Sequence, residues 1–255
     1  MNKGIDLRQA LDEWPYDPDN HIRRVRCADG REVLQVRLSL GLEQYELTGR
    51  PDGLRPNGCE SLLDYHLERL TGLGGEFSLN PEECAELFSE AMQYYYRYLN
   101  LFQIRDWVGT LRDTTRNLQL FDFVHQYAVR EEDQNYLEQW RPYILRLHAT
   151  AAAMIQMEGG THAVAVEVLQ KAIQQIESLE DREDQTFQFE RKRSLLTLRE
   201  LVRQIEKSRP VPPLERLERE LRNAIELQNF EQAAQLRDQI KALKNNPSSP
   251  RDPGS

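Results

Sequence analysis

Over most of its length the chain alternates apolar and polar residues with the three-and-four step of an amphipathic helix, and over one N-terminal stretch with the two-residue step of a strand. The strand-like stretch is HIRRVRCADGREVLQVRLSLGLEQYELTGRPDG. Its Asp29-Gly30 dipeptide is a tight-turn signal between segments rich in Val, Leu and Arg. This predicts a small antiparallel meander with strands over about 22–28, 31–40 and 43–48, in which Val33 and alternate neighbours supply one apolar face. Two prolines and three glycines between Gly49 and Gly58 then end regular structure. From Ser61 to Ser208 the helical period governs, so the fold class is mainly α with a small β meander at its start.

The first helical segment is SLLDYHLERL, and a second start falls at Asn80-Pro81-Glu82-Glu83, where Asn80 is placed to cap and Pro81 suits the first helical position. Tyr94, Tyr95 and Tyr96 follow in that second helix. Successive residues turn by about 100°, so three tyrosines in a row predict a helix contacted on several sides; a tyrosine-lined groove is the functional alternative. Between Gln134 and Leu179 an α-hairpin is expected: Ala149, Ala152 and Ala153 face one way, Gly159-Gly160 break the helix, and Thr161 caps the next. Ala165, Leu169 and Ala172 continue the stripe. The small residues Ala153, Gly160, Ala165 and Ala172 with Leu169 between the last two resemble the tetratricopeptide pattern over a single repeat. Its aromatic positions are missing, and WVGTLRDTTRNLQLFDFVHQYA upstream is at most a degenerate arm. A further helix from about Phe187 to Ser208 carries Leu195, Leu198, Val202 and Ile205 as its stripe.

RPVPP, with three prolines between Arg209 and Pro213, makes a short stiff spacer. Beyond it Leu214, Leu217, Leu221, Ala224 and Ile225 form one amphipathic arm, and Phe230, Ala233, Ala234, Leu236, Ile240 and Leu243 form another. Gln228-Asn229 interrupt them, and Asn229 with Gln232 three residues on predicts a capping box. Helices this short are marginal in water and expose more apolar surface than they cover between themselves, which predicts a docking element completed by another surface. The tail after Leu243 is too poor in apolar residues to fold. The expected organisation is 1–58, segment with the meander; 59–208, helical body; 209–213, spacer; 214–244, helical hairpin; and 245–255, tail.

Composition narrows the function. A net charge of −9 and a mean hydropathy of −0.71 argue for a soluble protein without strong nonspecific affinity for nucleic acid, since that affinity comes from cations displacing phosphate counterions. The N-terminus lacks an apolar core of signal-peptide length and no segment has membrane-helix length, so a cytoplasmic location without membrane contact is expected. Cys27, Cys59 and Cys84 are far apart and predict reduced, partly buried thiols. His21, His66, His125, His148 and His162 have no metal-pair spacing, and the acidic runs Glu131 to Asp133 and Glu180 to Asp184 are expected in solvated loops at helix ends. YDPDN begins like a calcium loop, but Ile22 and Ala28 stand where glycine and glutamate are needed. The Gly/Pro loop fits neither phosphate-loop spacing, and a plain turn is expected there. No catalytic residue, metal or cofactor is predicted. Arg23, Arg24 and Arg26, near Trp14 and Tyr16, form the best basic cluster, expected on an outward strand edge.

The run LE..L..AI....FE.AA.LRD.I..L from Leu217 resembles the UVR motif shared by excinuclease subunits B and C, some Clp-type ATPases and the activator of a bacterial protein arginine kinase. The resemblance covers about 30 residues, and the wider arrangement of meander, helical body and hairpin resembles a group of bacterial proteins that share the motif. It implies an antiparallel helical hairpin that pairs with another such hairpin. The Walker loop and the paired CxxC zinc sites of the better-known relatives are missing from this sequence. The expected function is a non-enzymatic adaptor that binds a UVR-bearing protein or a second copy of itself. Its contact residues are Leu217, Leu221, Ile225, Phe230, Ala233, Ala234, Leu236, Ile240 and Leu243, with Arg237-Asp238 as either a selective interfacial ion pair or a solvated one. The alternative is an accessory factor in nucleotide excision repair that contacts DNA or the excinuclease.

Overall fold

The computed structural model describes residues 6–72, 77–208 and 213–245. The chain divides into two compact units, Met1–Glu206 and Lys207–Ser255. The spacer residues 209–212 and the tail beyond 245 lie outside the described residues.

In the first unit a short helix, α1 (Arg8–Glu13), precedes β1 (Ile22–Arg26), β2 (Glu32–Leu38) and β3 (Gly41–Glu46), an antiparallel sheet in the order β1-β2-β3. The meander is as expected, with shifted ends. Gly30 takes a left-handed φ of 87° and its N–H reaches Cys27 O at 2.9 Å, so the first turn claims residues expected in the strands. Gly41 pairs with Leu38 around Ser39-Leu40, which starts β3 two residues early. Leu34, Val36 and Tyr45 pack on Leu101 of the helical layer, while Val33 is fully buried on the opposite side, so β2 is covered on both faces.

The helices are α2 (Leu62–Gly72), α3 (Pro81–Gln103), α4 (Trp107–Tyr127), α5 (Glu131–Tyr136), α6 (Arg141–Glu158), α7 (His162–Glu177) and α8 (Gln185–Ser208). Asn80 and Glu83 form the full reciprocal capping box at the start of α3, with both bonds at 2.9 Å. Cross-helix bonds fix the directions. Arg97 meets Asp113 and the Ala91 carbonyl meets Asn117, so α3 and α4 are antiparallel; Trp107 meets Glu158 and Thr114 meets His148, so α4 and α6 are antiparallel. The segment weighed as a degenerate arm is thus the long helix α4. Helix α6 feeds two cores. Ile144 and Leu147 join Leu87, Ala91, Tyr98, Leu120 and Val124, whereas Leu145, Ala149 and Ala153 join Ala165, Leu169, Ala172, Ile176, Leu198 and Ile205. The tyrosine run behaves as its spacing requires: Tyr94 and Tyr98 are buried, Tyr95 is half-buried and Tyr96 is 48% exposed.

Two local expectations are corrected. Thr161 does not cap α7; its Oγ1 donates back to Gln156 O at 2.9 Å, closing the end of α6, where Gly160 is left-handed. Glu131 to Asp133 open the helix α5 and are not a solvated loop: Asp133 is buried and accepts two bonds from Arg130 at 2.7 and 2.9 Å. The second acidic run, Glu180 to Asp184, is the exposed loop expected, and its last residue Asp184 accepts from Phe187 N–H at 2.8 Å at the start of α8.

Charged seams join the sheet and the Gly/Pro loop to the helices. Arg97 is fully buried, grips Asp113 through two bonds of 2.7 and 2.8 Å, and donates a third to Glu46 O at the end of β3, 2.7 Å away. Glu90, also fully buried, accepts from Leu62 N–H at 2.8 Å and Leu63 N–H at 3.3 Å at the start of α2. The same carboxylate pairs with Arg50 of the Gly/Pro loop at 3.2 Å and with Arg116 of α4. Two buried carboxylates and their arginines thus tie together pieces of chain distant in sequence.

Candidate interaction face of the C-terminal hairpin

The second unit consists of α9 (Pro213–Glu226) and α10 (Phe230–Asn245). Leu217 and Ala224 of α9 meet Ala233, Leu236 and Ile240 of α10, with Leu214 and Leu221 packed at the margin. The alanines at the crossing let the arms approach closely, as their spacing implied. Between them Gln228 takes a left-handed φ of 57°, its N–H reaching Ile225 O at 3.0 Å and that of Asn229 reaching Ala224 O at 2.8 Å. This is the six-residue closure of a helix C-terminus, made without the usual glycine. It alters the expected capping box. Asn229 Oδ1 accepts from Gln232 N–H at 3.3 Å, but the Gln232 side chain meets the Asn229 amide at 3.1 Å, because the Asn229 N–H is already taken by Ala224.

The predicted contact residues fall into two groups. Leu217, Ala233, Leu236 and Ile240 lie in the interior of the hairpin and Leu221 is half-buried, so these hold the two arms together. Ile225 (53% exposed), Phe230 (71%), Leu243 (40%), Ala234, Arg237 and Asp238 remain outside. Leu227, 80% exposed beside the turn, joins them; its place off the α9 stripe kept it out of the expected set. Arg237 and Asp238 approach only to 3.9 Å and each side chain is 74% exposed, a solvated pair open to an external partner.

One flank is defined by the ion pair from Lys244 of α10 to Glu218 of α9 at 3.0 Å. On α10, Phe230, Arg237, Lys241 and Lys244 recur at steps of seven, four and three on that side; on α9, Glu218, Leu221 and Ile225 do so at three and four. The flank therefore runs from an apolar tip, Ile225 with Phe230, to a cationic root, Arg237 with Lys241.

Elsewhere the candidate chemistry is used internally. Arg23 donates to Gln35 Oε1 at 3.1 and 2.9 Å and lies 4.0 Å over the Trp14 ring, and Arg24 pairs with Asp106. Around the Gly/Pro loop a hollow of about 260 Å³ is lined by Arg31, Arg50 and Arg55 with Glu46 and Glu60. Arg31 is matched by Asp29 and Glu46, and Arg50 by Asp52 and Glu90. Gly49 and Gly53 have left-handed φ of 63° and 74°, as turns demand. Cys27, Cys59 and Cys84 are free thiols; burial pushes the Cys84 thiol up to about 11. Among the described residues no group of His, Cys, Asp or Glu is arranged to hold a metal ion, and no described helix is long and apolar enough to cross a membrane.

The second unit is thus an antiparallel two-helix module with a closed apolar interior and an exposed apolar and cationic flank. It carries the UvrB/uvrC motif: the model of that family matches residues 213–246, the span of both helices and the turn. No curated protein and no solved structure gives a match to the chain.

Proposed function

We propose that the protein is a non-enzymatic adaptor whose C-terminal hairpin binds another protein, a UVR-bearing partner or a second copy of this chain, with the helical body as tetratricopeptide-like scaffold. The observation that carries this is the sorting of the motif residues. Those needed to close the hairpin are inside, and Phe230 and Ile225, which contribute nothing to its interior, stand exposed together at the tip. Exposed aromatic and aliphatic residues beside solvated cations have the composition of an interface centre rather than of ordinary surface. Direct DNA contact through β1 is less well supported, since Arg23 and Arg24 are engaged within the chain.

The test uses the full chain as bait in extract of its native organism, beside Phe230→Asp and a chain ending at Arg209. Both variants are expected to lose the captured protein while circular dichroism of the helical body is retained. Undiminished capture by Phe230→Asp would sink the proposal.

A further inference from the structure

With the hairpin flank as the docking face of the adaptor, the reading on which this inference rests, its charge discriminates between the two kinds of partner. Among the described flank residues the carboxylate is Glu218, already held by Lys244 at 3.0 Å. Arg237 and Lys241 have no flank carboxylate, and Asp238 lies about 100° further round the helix from Arg237, toward solvent. The flank is therefore locally cationic on a chain of net charge −9.

A pair of identical chains joined through one face is isologous: each residue meets its symmetry-related counterpart or exchanges contacts with it. Arg237 stands at the middle of α10 (Phe230–Asn245). In a fully overlapped two-fold pairing, parallel hairpins lay α10 over the partner's α9 and set Arg237 and Lys241 at the level of its Ile225 and Leu221. Antiparallel hairpins bring Arg237 to Arg237 and set Lys241 at the level of the partner's Ala233-Ala234. Both arrangements oppose like charges or desolvate an unpaired ammonium at the contact, which suppresses that partner.

We propose that the flank takes a different chain, a helical partner whose facing surface carries an apolar spot beside carboxylates, in preference to a second copy of this protein. The tip supplies apolar contact, and Arg237 and Lys241 select by charge.

A charge-reversed copy of the chain, Arg237→Glu with Lys241→Glu, serves as the acidic probe. Both positions are exposed, so the hairpin interior is untouched. Sedimentation velocity of full chains is run at ~0.15 M salt, where the overall charge is screened beyond about 8 Å. Wild type alone and the reversed copy alone are expected to be monomeric, and their mixture to associate at least about tenfold more tightly than either alone. Adding Phe230→Asp to both chains should abolish the mixed complex. Self-association of wild type that is lost in Phe230→Asp would overturn the partner assignment while leaving the hairpin as a docking face. A mixture no tighter than its components would overturn it too. A mixed complex indifferent to Phe230→Asp would instead remove the docking face itself. In a parallel titration, a DNA duplex bound by wild type and released by the charge-reversed copy would assign the cations to phosphate and overturn the proposal.

Discussion

Gln228 holds a conformation that costs an L-residue roughly 1–2 kcal/mol and that glycine adopts freely. Gln228→Gly is therefore expected to stabilise the hairpin by about 1 kcal/mol, read as slower amide exchange across 213–245 in the full chain; faster exchange would contradict the closure described. Two histidines make a second residue-scale prediction. His66 is buried with its Nδ1 3.0 Å from Arg69 Nη1, and burial holds its pKa below the usual value against the opposing influence of Glu83; His148, 3.2 Å from Thr114 Oγ1, is lowered by burial alone. In both, burial favours the neutral ring. Below the ordinary imidazole pKa of about 6.5 the unfolded chain binds more protons than the folded one, so stability falls as pH drops through that value toward the folded pKa values. Denaturant midpoints of the full chain should fall between about pH 7 and 5, with a shallower slope in His66→Gln with His148→Gln; midpoints that rise on acidification would refute this.

At the scale of elements, the sheet is held to the helices by a pair that broke no sequence rule and announced nothing. Arg97 lies in the YYYRYL run and Asp113 in the TLRDTT run, each a plausible solvent position by pattern, yet both side chains are 1% exposed. Burial of a paired charge depends on which helix faces cross, and periodicity does not record that. Removing one member of such a pair leaves the other uncompensated. Asp113→Asn should cost about 3–5 kcal/mol in denaturant unfolding of the full chain, whereas Arg112→Ala, whose side chain also reaches Asp113 but is 42% exposed, should cost about 1 kcal/mol or less. Equal costs would show the seam to be incidental. What the sequence did disclose was local: the strand order, the cap at Asn80, the turn at Gly159-Gly160, and the Leu198 and Ile205 stripe each depend on neighbours a few residues away.

At the scale of the molecule, both units were legible as helical, and the hairpin arms emerge close to the limits their apolar steps imply. The flank was not. Spacing assigns a stripe to each helix without fixing how the two arms rotate against each other, and only the contact of Lys244 with Glu218, 26 residues away, picks out the side shared by Phe230, Arg237 and Ile225. Glu90 was hidden for a similar reason, since a glutamate among AELFSEAMQ reads as surface until Arg50, Arg116 and the first amides of α2 converge on it. Its position makes those segments depend on one another. Ser61 Oγ caps α2 locally by accepting from Asp64 N–H at 3.2 Å, but the Leu62 and Leu63 amides are paired by Glu90 of α3, and the same carboxylate holds Arg50 of the Gly/Pro loop. The start of α2 and the Gly/Pro loop thus share a single anchor on α3, so a change at Glu90 would loosen both at once, while the sheet keeps its separate hold through Arg97.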